Sequence, residues 1–209
     1  MCAIIGFDSP TLTEQEIRPY FDRTISRGPD MSRMEKAGRG MLGFHRLAIM
    51  GLHEEGMQPF HLGGDMAVCN GELYGFRPLK KELEAKGYTF ASESDCELIL
   101  PLYREYGVEM FAKLDAEFAM IIYDAKADRL VAARDPIGIR PLFYGYLADG
   151  GILFASEAKN LVGLCERIMP FPPGHYYADG KFVRYADLTT VTEYSRDDLD
   201  TVCKKIREK

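Results

Sequence analysis

The sequence predicts an α+β protein in which short antiparallel strands outnumber helices. Three observations carry this. From residue 117 onward, apolar runs at 118–123, 129–133, 142–146 and 151–155 recur at regular spacing. Turn chemistry at 124–128 and at Asp149-Gly150-Gly151 separates them, as in successive paired strands. Stretches at 14–24, 77–86 and 95–106 instead keep the helical period. The third observation is composition: 209 residues at 46% hydrophobic and 28% charged suit a folded domain with a sizeable core. Strands and helices mixed in this way predict layered sheets covered by helices.

Taken in order, Ile4-Ile5-Gly6-Phe7 reads as a buried strand that holds Cys2 in place against fraying. Ser9-Pro10 breaks the pattern. Thr11 or Thr13 caps the helix over 14–24, which carries Ile17, Tyr20, Phe21 and Ile25 near one face. Arg27-Gly28-Pro29-Asp30 ends it. Strands over 32–37 and 41–45 flank a hairpin turn at Gly38-Arg39-Gly40. A loop rich in Gly, His and Glu runs on through Gln58-Pro59. The strand over 66–69 leads straight into Asn70-Gly71, by itself a hairpin-turn signal. The helix over 77–86 buries Leu79 and Leu83 and stops at Gly87. Ser94 and Glu97 have capping-box spacing at the start of the helix over 95–106, whose apolar face is Leu98 and Leu102. Phe171-Pro172-Pro173-Gly174 is a rigid turn before strands over 176–178 and 181–185, with Asp179-Gly180 as their hairpin. Residues 187–209 turn polar, and 195–209 read as one amphipathic helix (Leu199, Val202, Ile206) without a partner. The expected organisation is therefore a domain over 1–186, then a linker and the start of a further domain over 187–209.

A formal charge of -6 argues against a nucleic-acid footprint. No apolar run approaches the roughly 20 residues of a membrane span, and the N-terminus lacks a signal-peptide layout, so a cytoplasmic protein is expected. Five cysteines, an odd number without a CxxC pair, suggest neither a disulfide framework nor a zinc site. His45, His53, His61 and His175 are not at metal-ligand spacing and read as surface or hydrogen-bonded loop residues. Chemistry concentrates instead at Met1-Cys2. Removal of Met1 leaves a thiol and a free α-amine on one residue, a nucleophile with a base attached. The amine's reference pKa of about 7.7–8.0 leaves a sizeable neutral fraction near pH 7.

Nine blocks then occur in order: Met1-Cys2-Ala3-Ile4-Ile5-Gly6, Arg27-Gly28-Pro29-Asp30, His45-Arg46-Leu47-Ala48-Ile49, Gln58-Pro59, Asn70-Gly71-Glu72-Leu73-Tyr74, Ser94-Asp95-Cys96-Glu97, Arg134 through Leu142, Phe154-Ala155-Ser156-Glu157, and Phe171-Pro172-Pro173-Gly174. Over residues 1–186 the chain resembles the glutaminase half of glutamine-dependent asparagine synthetases, class II glutamine amidotransferases of the N-terminal-nucleophile hydrolase type. Ala3, Ser26 and Gly75 depart from the residues frequent in that family, and no Ser-Gly-Gly-Leu-Asp-Ser-type nucleotide loop is present.

The resemblance implies a four-layer αββα sandwich of two mainly antiparallel sheets. It makes Cys2 the nucleophile, its α-amine the proton shuttle, and Asn70 with the Gly71 N–H the oxyanion hole. Arg46 suits a substrate α-carboxylate, because a guanidinium fork matches it bidentately. Asp95 suits the α-ammonium. Leu47, Ile49 and Met50 lie in the family's glutamine loop and Glu72 beside the site. Arg27 and Asp30 read as ordering the loop near the terminus, and Cys69 and Cys96 as packing residues. The implied partners are L-glutamine and a C-terminal synthetase domain that uses ATP and Mg²⁺ to amidate aspartate. No cofactor or metal is expected in this chain, nor a nucleic acid or membrane partner, and a homodimer is left open. Two alternatives stay open: the same chemistry feeding another acceptor, and a non-catalytic glutamine-binding or regulatory relative.

Overall fold

The computed structural model describes residues 1–49, 53–191 and 193–208. In chain order its elements are β1 (Ala3–Asp8), α1 (Glu14–Phe21), β2 (Met31–Ala37), β3 (Gly40–Arg46), β4 (Phe60–Leu62), β5 (Asp65–Leu73), α2 (Phe76–Ala85), α3 (Ile99–Tyr106), β6 (Ala116–Asp124), β7 (Arg129–Arg134), β8 (Phe143–Tyr146), β9 (Ile152–Ala155), β10 (Ile168–Pro170), β11 (His175–Ala178), β12 (Lys181–Arg184) and α4 (Leu199–Glu208). The strands form two six-stranded sheets, ordered β10-β8-β9-β1-β3-β2 and β12-β11-β7-β6-β5-β4. The pairings within both sheets are antiparallel.

Strand alternation sorts the apolar residues into three cores. Ile4, Leu42 and Phe44 of the first sheet meet Val68, Ile121 and Ala132 of the second, filling the space between the sheets. Ile5 and Phe7 point the other way, onto Ile17 and Phe21 of α1 and its extension. On the far side Cys69, Phe118, Met120 and Ile122 pack under Leu83, Leu98 and Leu102. Helix, sheet, sheet and helix are thus four layers, the αββα sandwich that the resemblance implies. This places the start of β1 and the middle of β5 on facing sheets.

Local signals were overridden at several points. Thr13 rather than Thr11 caps α1, through a reciprocal box with Glu16. That helix ends at Phe21, and 22–27 continue as a 3-10 turn. The expected helix over 95–106 begins as a 3-10 turn over Asp95–Leu98 and becomes α-helical only at Ile99. Its capping box does not form. The Glu97 carboxylate instead accepts from the Ala91 and Ser92 amides, both at 2.8 Å, and from the Ser92 hydroxyl at 2.6 Å. Asn70-Gly71 is no turn but lies within nine-residue β5, opposite Ala119 and Phe118 of β6. Strand pairing outweighs turn propensity here. His45 is a fully buried strand residue, stacked on Phe21 with ring centroids 3.6 Å apart. Strands β4 and β10, three residues each, are too short to show an alternation. Chain tethered to the second sheet extends to Ala186, whose amide donates to the Gly174 carbonyl at 3.2 Å. The last helix starts at Leu199 and buries none of its side chains.

Candidate active site

A cleft of about 120 Å³ opens where the start of β1 faces the middle of β5. Cys2, Arg46, Leu47 and Ile49 line its first-sheet wall. Asn70, Gly71, Glu72 and Asp95 line the wall opposite. Every described residue that the sequence nominates for the site is therefore brought to one place; Met50 lies outside the described residues.

The β1–β3 register sets Ala3 opposite His45, which carries Cys2 alongside Arg46. The Cys2 thiol is half-buried and gripped by one loop residue. The Leu47 amide donates to Sγ at 3.4 Å, and Sγ lies 3.6 Å from the Leu47 carbonyl oxygen. Burial pushes the thiol pKa up, and the Leu47 amide pulls it partly back. Arg27 Nε donates to the Cys2 carbonyl at 3.1 Å while its Nη1 pairs with Glu157 at 3.0 Å. Asp30 Oδ2 accepts from the Ala48 amide at 2.8 Å. Both residues order the segments around the terminus, as their sequence context suggests.

On the opposite wall the alternation of β5 does the aiming. Cys69 and Leu73 face the helices, so Asn70, like Val68, faces the first sheet. Asn70 is 2% exposed, yet its Nδ2 has no hydrogen-bond partner among the described residues. An unsatisfied buried donor costs about 1–3 kcal/mol, and an acceptor arriving in the cleft would offset that cost. Gly71 contributes its backbone. The amides of Cys69 and Leu73 donate to the Gln58 and Asp95 side chains, away from β6. Gly71, midway between them, shares their side of the strand and turns its N–H to the same free edge. A Cβ on Gly71 would lie 2.5 Å from the Glu117 carbonyl oxygen and 2.8 Å from Phe118 Cβ. Glycine is needed there because β6 comes close.

Two buried charges of opposite sign sit on opposite walls. Arg46 is 3% exposed, and its Nη1 donates to the His53 carbonyl at 2.8 Å. Asp95 is 6% exposed and its Oδ2 accepts from the Leu73 amide at 2.6 Å. Burial raises the Asp95 pKa, and the backbone amides of Leu73 and Cys96 offset part of the rise. A guanidinium facing a carboxylate across a small cleft matches the two charges of a free amino acid.

Sequence reasoning gave no part in the site to Gln58, Arg140 and Ser94, which also line the cleft. Gln58 joins Cys69 by two buried hydrogen bonds. Arg140 pairs with Glu117 and leaves its buried Nε without a partner among the described residues. Ser94 precedes Asp95 and lines the cleft. Nothing in their residue types marks them out; they could be singled out only as members of the Gln58-Pro59, Arg134–Leu142 and Ser94–Glu97 blocks. Cys69 and Cys96 are buried as expected but also reach the cleft. Hydrogen bonding to Cys69, and then burial, hold the Cys96 thiol well above its ordinary pKa. Among the described residues no group of three His, Cys, Asp or Glu side chains is placed to share a metal ion. No helix there is long and apolar enough to cross a membrane.

The chain is similar to several known proteins. A probable glutamine-hydrolyzing asparagine synthetase of Dictyostelium discoideum is 44% identical over 195 residues, covering 88% of this chain and 35% of that protein. A glutamine-hydrolyzing asparagine synthetase of Arabidopsis thaliana is 38% identical over 185 residues, covering 85% and 31%. The chain thus spans about a third of the length of these relatives. Among solved structures, an allosteric regulatory enzyme of purine biosynthesis superposes with a TM-score of 0.75 at 21% identity, over 88% of this chain and 49% of that one. A glutamine phosphoribosylpyrophosphate amidotransferase from B. subtilis gives 0.70 at 20% identity, over 88% and 49%. These two share the fold. The model of the glutamine amidotransferase domain matches residues 1–177, which hold the whole cleft, and the chain belongs to that family.

Proposed function

We propose that the cleft hydrolyses the side-chain amide of L-glutamine to glutamate and ammonia. The observation that carries this reading is the buried Nδ2 of Asn70, which has no partner among the described residues and lines the cleft together with the Cys2 thiol. In the proposed cycle the α-amine of Cys2, freed by removal of Met1, takes the thiol proton. The thiolate attacks the side-chain carbonyl carbon, and the carbonyl electron pair moves onto oxygen. Asn70 Nδ2 and the Gly71 N–H stabilise that oxyanion, and one such donor typically contributes about 2.7–4 kcal/mol. The ammonium of Cys2 passes its proton to the leaving nitrogen and ammonia departs. Water then attacks the thioester through a second oxyanion and releases glutamate. Arg46 holds the substrate α-carboxylate and Asp95 its α-ammonium. Backbone carbonyls of Leu47 and Ile49, together with Glu72, complete the pocket.

The relatives' names extend the proposal. Residues 1–186 would be the glutaminase domain and 187–209 the link to a C-terminal synthetase domain, working in the cytoplasm. That domain would use ATP and Mg²⁺ to pass the ammonia to aspartate, while the glutaminase cycle itself needs no cofactor. The test is to incubate the chain, with mass spectrometry showing Cys2 as its first residue, with glutamine and to measure glutamate. Absence of hydrolysis by that species sinks the reading.

A further inference from the structure

Gln58 is buried, lines the cleft and takes no part in the proposed cycle. Main-chain pairing between β4 and β5 runs only from Leu62–Asp65 to Phe60–Ala67. Two residues further along β5, at Cys69, the next strand is missing and a side chain takes its place. The Cys69 amide donates to Gln58 Oε1 at 2.6 Å, and Gln58 Nε2 donates to the Cys69 carbonyl at 3.1 Å. An amide side chain has both a donor and an acceptor, so it can copy both bonds of a paired strand residue. Gln58 is 4% exposed and both ends of its amide are engaged on Cys69.

The Cys69 carbonyl lies in the same rigid peptide plane as the Asn70 amide. Asn70 pairs with Ala119 on the β6 side. Gln58 holds the same plane from the other side. Two residues beyond Gly71, Asp95 holds the Leu73 amide in the same manner. The stretch from 69 to 73 is thereby pinned at both ends along its free edge; between them the Gly71 carbonyl accepts from Cys96 Sγ at 3.8 Å, and the Gly71 N–H has no partner among the described residues.

We infer that Gln58 is a positioning residue of the oxyanion hole, acting through the Cys69–Asn70 peptide on Asn70 and Gly71. The inference rests on the glutaminase reading. A displacement of about 1 Å in such a site lowers rate on the order of 100-fold. For Gln58→Ala the expected result is a fall in kcat of about 10–100-fold with KM changed by less than about threefold.

Two readouts separate positioning from general damage. Iodoacetamide alkylates a thiolate by displacement at carbon and forms no oxyanion, so Cys2 of Gln58→Ala should be alkylated at the wild-type rate. In an Asn70→Ala background, Gln58→Ala should lower kcat by much less than it does alone, because the two substitutions act on one device. Where Gln58→Ala does not fold, Gln58→Glu serves. It keeps the acceptor for the Cys69 amide but, when ionised, has no donor for the Cys69 carbonyl, and the same pattern is expected.

An unchanged kcat overturns the inference. So does alkylation falling in step with hydrolysis, or a full multiplicative loss in the Asn70→Ala background. Failure of the glutaminase reading is distinguishable, since the processed wild-type chain would then yield no glutamate at all.

Discussion

The two walls of the cleft are built on opposite plans. On the first sheet the proposed nucleophile sits at the very start of a strand. Cys2 is half-buried, its thiol hydrogen-bonded to one loop residue, Leu47, and its carbonyl anchored by Arg27. On the second sheet the proposed oxyanion donors lie inside a nine-residue strand paired to β6 over residues 66–73. Asn70 is 2% exposed, and the flanking amides are locked by Gln58 and Asp95. The difference teaches a division of labour. A half-buried group at the start of a strand can be altered covalently with little disturbance of packing, which suits the proposed nucleophile. Donors aimed at a developing charge work best where nothing needs to reorganise, so they sit in mid-strand.

The largest effects test the terminal wall. Cys2→Ala should abolish glutamate formation and change stability by about 1 kcal/mol or less, as measured by urea denaturation. A chain that keeps Met1 should be equally inactive, because an amide then stands where the cycle needs an amine. A loss of stability in either case comparable to a core mutation would break the comparison.

The next effect belongs to the mid-strand wall. Asn70→Ala should lower kcat by about 10²–10³. It should leave stability unchanged or improved, since it removes a buried unsatisfied donor worth about 1–3 kcal/mol. Steady-state kinetics beside denaturant titration would show both. A large loss of stability would mean that the amide has a protein partner in solution.

Gly71→Ala should act the other way, through the fold. Its methyl group meets the Glu117 carbonyl and Phe118. Overpacking of this kind costs about 1–3 kcal/mol, which a shift in the urea midpoint would reveal. Wild-type stability in this variant would show that β6 can yield.

The smallest effect concerns Asp95. Burial raises its pKa, so the empty cleft keeps this proton to higher pH than an exposed aspartate would. That contribution to stability is complete below the unfolded pKa and is lost as pH rises through the raised folded value. A bound ammonium favours the ionised form, so glutamine binding should release a proton and KM should climb as pH falls into that range. Asp95→Asn, with no proton to lose, should show a higher KM that stays flat there. Parallel profiles for the two proteins would remove Asp95 from the substrate's ammonium.

Much of this was legible in the residues themselves. The run of short strands after residue 117 is written as alternation and turn chemistry, and both survive folding because each strand's partner is its neighbour in sequence. The described site residues can be named from ordered blocks, and all of them line one cleft. What failed were local signals that lost to distant partners. Ser94 and Glu97 have the spacing of a capping box, but Glu97 is taken by the loop at Ala91 and Ser92. Asn70-Gly71 has the composition of a turn, but β6 pairs straight across it. His45 could not be read as buried, because its cover is Phe21 from the far end of α1.

The sequence by itself determined which residue types are available: one thiol next to Met1, an Asn-Gly pair, an arginine and an aspartate. Those are properties of composition and order. Only the tertiary structure decided that Asn70 faces the first sheet, that the Gly71 amide lies on a free strand edge, and that a glutamine side chain replaces a missing strand beside it. The physical reason is that these depend on strand register and on which hydrogen-bonding groups remain unpaired after two sheets stack. No local pattern in the chain encodes either.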